Sequence, residues 1–278
     1  MPQDLEQERE KDDKSPPITL TESPNRMTSG SPISPTVNEP VLPTPSRNFT
    51  IIPPDQQVHV GAPTNLHPYT RPLTISDLES CVALENAAFT NPDERATREK
   101  FAYRLSKCGE LCLGIFCTVD PKTDFKAETL ATGKPIETSR KNGAISVLLG
   151  HVIAVKTNDS LATDGSMDYP KDWDSAHPQP STVGHQEAGR TIVIHSVAIL
   201  PGFQERGLGQ TLTKAYVQQM SGAGIANKLA LIAHDHKTQW YEKLGFVNKG
   251  KSKAQFGGGG WFDLVFEMKA QDPRTRYG

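Results

Sequence analysis

From residue 69 to residue 268 the chain alternates short apolar runs with amphipathic stretches. The clearest run is Thr191-Ile-Val-Ile-His-Ser-Val-Ala-Ile199, nearly continuous in apolar and β-branched residues. That is the pattern of a strand covered on both faces. Pro201-Gly202 ends it. From Gly207 the apolar spacing turns helical, with Leu208, Leu212, Ala215, Tyr216 and Met220 on one face. The same reading predicts strands over 69–74, 111–118, 144–155 and 228–233, from Phe246, and over 261–268. Helices are predicted from a Ser76-Asp77 cap to about Phe89, from Thr97 through Ser106, and over 236–244 behind an Asp235 cap, with Gly245 as its stop. The resulting order is β-α-α-β-β-β-α-β-α-β-β. It describes one mixed α/β domain, 69–270, with a central sheet of about seven strands and about four flanking helices.

Three segments fall outside this pattern. Residues 1–66 hold more than half of the 22 prolines, with many Ser, Thr and charged residues. Their large apolar residues are too few to bury a core, so the segment reads as a disordered tail. Ser15-Pro16, Ser23-Pro24, Ser31-Pro32, Ser34-Pro35 and Thr44-Pro45 are candidate proline-directed phosphorylation sites, a pairing common in any Ser/Pro-rich tail. They would offer a phosphorylation-dependent partner its docking point. Residues 119–142 read as a polar loop joining two hairpin strands. Residues 157–189 are polar, rich in Asp, Ser, Pro and Gly, and too long for an ordinary connection. They read as a mobile insertion.

Charge and cysteine content narrow the partners. A net charge of −2 gives no electrostatic case for nucleic acid or an acidic membrane surface. No apolar run approaches membrane-span length, and the N-terminus lacks the apolar core of a secretory signal. Cys81, Cys108, Cys112 and Cys117 fit no common zinc spacing and read as free thiols in a reducing compartment, cytoplasm or nucleus. No metal is expected.

The candidate chemistry sits between the central strand and its helix, in Gln204-Glu205-Arg206-Gly207-Leu208-Gly209. Two glycines one residue apart let backbone approach a ligand without a Cβ in the way. They precede a helix N-terminus, where unpaired N–H groups and the positive dipole end suit a phosphate or pyrophosphate. A dinucleotide loop G-x-G-x-x-G would need a third glycine, but position 212 is Leu212. The Walker loop is absent. The pattern [QR]-x-x-G-x-[GA], the pyrophosphate loop of the GNAT acyltransferases, matches residue for residue. A plain strand–turn–helix with glycines kept for packing is the competing reading. The 257–260 glycine run has no helix behind it and reads as a hairpin connection.

The whole element order is similar to the GNAT fold over about 69–268. Ala88-Phe89, Gly109-Glu-Leu-Cys-Leu-Gly-Ile-Phe116, Ile194-His-Ser-Val-Ala-Ile-Leu-Pro201 and Trp240-Tyr-Glu-Lys-Leu-Gly-Phe246 resemble the arylalkylamine N-acetyltransferase branch, which includes the serotonin acetyltransferases. Ile232-Ala-His-Asp-His236 and Lys251-Ser-Lys-Ala-Gln-Phe-Gly-Gly-Gly-Gly-Trp261 resemble fungal members, some of them described as polyamine acetyltransferases.

That resemblance implies acetyl-CoA as cosubstrate and a small primary amine, tryptamine- or serotonin-like, as acceptor. Polyamines, and protein lysine or N-terminal amines, are the alternatives. It implies that Val197, Ala198 and Ile199 pair with the pantetheine arm, with the Val197 N–H on the thioester oxygen. Gln204, Glu205, Arg206, Gly207, Leu208, Gly209 and Gln210 would hold the pyrophosphate. His195 would deprotonate the amine and Tyr241 would protonate the leaving thiolate. The branch carries two histidines on this strand; here the first position is Val193, and His234 or His236 could substitute. Phe89, Pro92, Val197 and Ile232, with Phe256 and Trp261, would line an acceptor pocket. Asp93 and Glu94 are the nearest carboxylates for a polyamine.

Overall fold

The apolar runs assemble into a single sheet. A computed structural model describes residues 50–51, 66–136 and 143–268. In chain order the strands are β1 (Thr50–Ile51), β2 (Tyr69–Pro72), β3 (Leu113–Val119), β4 (Lys134–Pro135), β5 (Ile145–Thr157), β6 (Thr191–Ile199), β7 (Lys228–Ala233), β8 (Val247–Lys251) and β9 (Phe262–Glu267). The helices are α1 (Leu78–Ala88), α2 (Arg98–Lys107), α3 (Asp164–Met167), α4 (Leu208–Ala223) and α5 (Asp235–Glu242). The spatial order is β1-β2-β3-β5-β6-β7-β9-β8, with β4 paired to β5. Every pairing is antiparallel except that of β6 with β7.

Seven strands and four helices stand where the apolar pattern predicts them, with ends shifted by a residue or two. The additions, β1, β4 and α3, are too short to leave a periodicity. β1 pairs with Tyr69 and Thr70, inside the segment read as tail. The candidate phosphorylation pairs lie outside the described residues.

The core forms where the sequence is apolar without a break. β5 is buried from Ser146 to Thr157, and β3 from Leu113 to Cys117. Both α1 and α4 pack on β5 and β6. From α4, Leu208, Leu212, Tyr216 and Met220 enter this core, and the Tyr216 hydroxyl donates to Leu111 O at 2.9 Å. Each such large side chain contributes about 1.5–3 kcal/mol by leaving water. Cys81, Cys108, Cys112 and Cys117 are free and buried.

Two caps differ from expectation. Asp77 holds the N-cap position of α1, but its carboxylate makes no cap hydrogen bond to that helix. It is buried, takes both Arg71 guanidinium nitrogens at 2.7 and 2.8 Å, and accepts from Thr74 N at 3.0 Å. Asp235 is the first residue of α5, and the N-cap position belongs to His234, whose side chain makes no cap hydrogen bond.

The 157–189 insertion is packed rather than free. Ala162 and Met167 are in the core. Arg104 donates to Met167 O at 2.9 Å, and His185 N donates to the Tyr103 hydroxyl at 2.8 Å. Lys156 pairs with Glu187. Tyr103 packs at a tilt against Tyr169 and edge-on against Trp173. Composition alone hid this, because the anchoring groups are few and lie mostly on α2. No helix among the described residues is long and apolar enough to cross a membrane.

Candidate active site

The site begins where two strands part. β6 and β7 pair only through Thr191–Ile194 against Lys228–Leu231. Beyond Ile194, β7 continues along β9 to Ala233 while β6 continues along β5 to Ile199. The β6 edge past Ile194 therefore faces a gap with unpaired backbone groups. On the other side, Ile153 pairs with Ser196 and Ala154 with Ile194, so His195 is the extra residue of a β-bulge. Bulge and gap start at the same residue.

A cavity of about 910 Å³ fills the gap. Its walls include His195, Val197, Ala198 and Ile199 from β6, Tyr241 and Trp240 from α5, and Gln204, Glu205, Gly207, Gly209 and Gln210 from the loop. Phe89, Glu94, Met167, Ile232, His234, Phe256 and Trp261 line it as well. Most residues singled out from the sequence thus share one space. Four do not: Arg206 packs its guanidinium 5.7 Å from the Phe203 ring, Leu208 is buried in the core, and Pro92 and Asp93 are exposed in a 3₁₀ turn.

The loop is tied to β6 and turns through left-handed backbone. Gln204 donates its side-chain amide to Ile199 O at 2.9 Å, tying the loop to β6. Glu205 has φ 59° and Gly207 φ 76°. A left-handed non-glycine residue is uncommon, and left-handed turns of this kind gather amides into an anion-binding concavity. Gly207 occupies the N-cap of α4, and no side chain caps that end. The first amides of α4 therefore lack partners within the helix.

His195 is half-buried, yet neither ring nitrogen reaches solvent or a hydrogen-bond partner of good geometry. Burial, then the nearby Arg104 and Lys100 cations, hold its pKa well below the ordinary imidazole value; the Ser166 backbone opposes this. The ring is neutral at pH 7. Tyr241 packs edge-on against Trp240 and Phe246. Burial pushes its phenol well above the ordinary value, so it keeps its proton. His234 stacks on Trp261 at 4.0 Å and reaches Glu94 Oε1 at 3.2 Å, and Asn91 donates to the same oxygen at 2.9 Å.

Sequence reasoning missed a buried polar cluster behind β6. Ser196, a residue of the cavity lining, donates from its Oγ to Glu85 Oε2 at 2.8 Å. His151 Nε2 lies 3.0 Å from that oxygen and 3.1 Å from Ser196 Oγ. Ala96 N donates to Glu85 Oε1 at 3.0 Å. A signal existed: Glu85 interrupts the inward stripe Leu78, Cys81, Leu84, Ala88, and His151 is an aromatic polar residue inside an apolar strand. Among the described residues, no group of three or more His, Cys, Asp or Glu is arranged to hold a metal.

Comparison with known proteins gives the following. Residues 175–264 match the domain family described as acetyltransferase (GNAT) domain. Over 98 residues the chain is 26% identical to serotonin N-acetyltransferase of Mesocricetus auratus, a match covering 35% of this chain. The chain spans about half the length of that relative, 47%. Among solved structures, the loading GNATL domain of CurA from Lyngbya majuscula is 13% identical, covering 73% of this chain and 99% of that one, with a TM-score of 0.49. The ribosomal-protein-S18-alanine N-acetyltransferase of Escherichia coli is also 13% identical, covering 74% and 97%, with a TM-score of 0.41. The match to the acetyltransferase (GNAT) domain is carried by residues 175–264, and the sheet with its parted β6 and β7 has the GNAT fold.

Proposed function

We propose that the domain transfers acetyl from acetyl-CoA to a small primary amine of arylalkylamine type. The observation that carries the reading is the parting of β6 from β7 beside the loop, His195 and Tyr241. An unpaired strand edge accepts a linear amide-bearing arm such as pantetheine as an added strand. The concave turn at Glu205 and Gly207, with the uncapped start of α4, suits a pyrophosphate. Acetyl-CoA supplies an activated thioester; the chain supplies position, donors and proton transfer.

Val197 N–H serves as the donor to the thioester oxygen. An alkylamine has a pKa of about 10 and arrives as ammonium, so it must lose a proton before attack. His195 takes that proton, directly or through water. Its depressed pKa keeps the lone pair available but weakens its pull, so it relays the proton as the C–N bond forms rather than storing it. Tyr241, held protonated, gives its proton to the departing sulfur.

Phe89, Phe256 and Trp261 offer flat apolar surface to an aromatic ring. One observation favours polyamines as a second reading: the Glu94 carboxylate, 17% exposed, stands in the cavity wall where a second ammonium would sit. Free buried thiols fit a reducing compartment, and we assign cytoplasm or nucleus on that ground. The test is CoA release by purified protein with serotonin, tryptamine, spermidine and a histone peptide side by side. Turnover of the first two supports the reading; turnover of the peptide alone overturns it.

A further inference from the structure

The segment from Gln255 to Trp261 is a poor candidate for order by itself. Its glycines 257, 258, 259 and 260 all have positive φ, between 60° and 102°. Glycine loses more conformational freedom on ordering than any other residue, so such a run needs an external hold. Inside the segment, Trp261 Nε1 donates to Phe256 O at 2.6 Å and Gly259 N to the same oxygen at 3.2 Å. Among the described residues, the side-chain hydrogen bonds that reach it from outside come from Asp164. Asp164 Oδ1 accepts from Gln255 N and from Phe256 N, both at 2.9 Å, and Oδ2 accepts from Gln255 N at 3.1 Å.

Asp164 opens α3, the short helix of the 157–189 insertion. The other end of that helix, Met167, lines the cavity, and its carbonyl is held by buried Arg104. Thr163 and Ser166 fix the turn through reciprocal hydrogen bonds at 3.0 and 3.2 Å. One rigid turn therefore presents a wall residue at one end and a staple at the other. The staple holds Phe256, whose ring also lines the cavity, and through Phe256 O it holds the indole of Trp261. Glu94 closes the circuit, since a Cβ on Gly257 would lie 2.9 Å from its Cγ.

We infer that the insertion is a specificity-determining element. Through Asp164 it holds the 255–261 segment against the acceptor side of the cavity, fixing a pocket for a compact aromatic amine and shutting out an extended polypeptide. This rests on the acetyltransferase reading given above. A peptide acceptor needs an open channel on that side, which the pinned segment obstructs. A compact amine needs the reverse, because a loose aromatic wall must be ordered anew at each binding event.

The experiment compares wild type, Asp164→Asn and Asp164→Ala. Asp164 is exposed, so neither change disturbs the core. Hydrogen exchange at the Gln255 and Phe256 amides reports the staple, calorimetry reports acetyl-CoA binding, and steady-state kinetics compare tryptamine with a histone peptide. In Asp164→Ala both amides lose protection, KM for tryptamine rises about tenfold for the loss of charge-assisted hydrogen bonds, and acetyl-CoA affinity is unchanged. The tryptamine-to-peptide ratio of kcat/KM falls with it. Asp164→Asn, which keeps an acceptor oxygen, lies between. Unchanged exchange overturns the staple. Lost protection with an unchanged ratio overturns the specificity role while the acetyltransferase reading stands. If wild type turns over no acceptor, spermidine included, that reading falls and takes this inference with it.

Discussion

The Nε2 of His151 lies 3.0 Å from Oε2 of Glu85, and solvent scarcely reaches either side chain. With the proton on Nε2, the imidazole donates to Glu85 and Ser196 donates to the same oxygen. Ala96 N serves the other oxygen. The carboxylate then has three donors, and the unpartnered group is the Nδ1 lone pair of His151. This tautomer is assigned from the network. The cluster ties α1, β5 and β6 together directly behind the bulge that presents His195.

Breaking that cluster should cost stability before it touches chemistry. Glu85→Ala leaves His151 and Ser196 with only each other and takes the acceptor from Ala96 N, and a buried polar group left unsatisfied costs about 1–3 kcal/mol. Glu85→Gln keeps the shape and an acceptor oxygen, so it should cost clearly less. Urea unfolding with an unchanged m-value gives both differences. Equal midpoints for all three proteins would show that the network contributes nothing to folding.

Gly207 carries two demands, and Gly207→Val should fail both. Its φ of 76° lies in the left-handed region, where a residue with a Cβ pays roughly 1–2 kcal/mol. A branched side chain also stands where backbone must approach pyrophosphate. Acetyl-CoA affinity should drop at least tenfold, about 1.4 kcal/mol, when measured by calorimetry on folded protein. Unchanged affinity would remove the pyrophosphate role of the loop.

The uneven legibility of this chain has physical causes. β5, β6 and α4 were readable because they bury continuous or periodic apolar faces, which leave a strong local signal. The loop at Gly207 was readable because its backbone needs that residue type. Glu85 and His151 were not, since their roles arise only when α1 and β5 meet, 66 residues apart in sequence. The insertion misled for a related reason. It is polar and Pro/Gly-rich like a free loop, yet it is ordered by Tyr103 and Arg104 of α2, which no local reading connects to it. Asp77 stands at the expected N-cap of α1, but its carboxylate is taken by Arg71.

His195 should leave a mark on the acid side of the stability profile. The folded protein binds its proton only well below pH 6.5, whereas the unfolded chain binds it near 6.5. Below that value the unfolded state holds more protons, so stability falls as pH falls, by up to about 1.4 kcal/mol per pH unit from this group. His195→Gln removes the titration. Between about pH 7.5 and 5.5, spanning the imidazole value, the mutant should therefore lose less stability than wild type. Parallel losses in urea melts at both pH values would mean that the imidazole is solvated after all.

Tyr241→Phe removes one hydroxyl and keeps the ring, so the edge-on packing against Trp240 and Phe246 should survive. If Tyr241 protonates the departing sulfur, kcat should fall while acetyl-CoA affinity stays at the wild-type value. Positioned acid catalysis is worth about 10²–10⁴ in rate, so even with water substituting the loss should reach tenfold. Unperturbed, the phenol would ionise near pH 10 and impose an alkaline limb on the rate. Burial raises its pKa, so the wild-type rate should hold across that value instead of turning down. The measurement is steady-state kinetics of both proteins from about pH 6 to the phenol value near 10. A wild-type alkaline limb near 10 that disappears in the mutant would keep the donor but show its hydroxyl to be solvated. Wild-type turnover by Tyr241→Phe at every pH would make the residue packing alone, and the proton would have to reach the sulfur from another wall of the cavity.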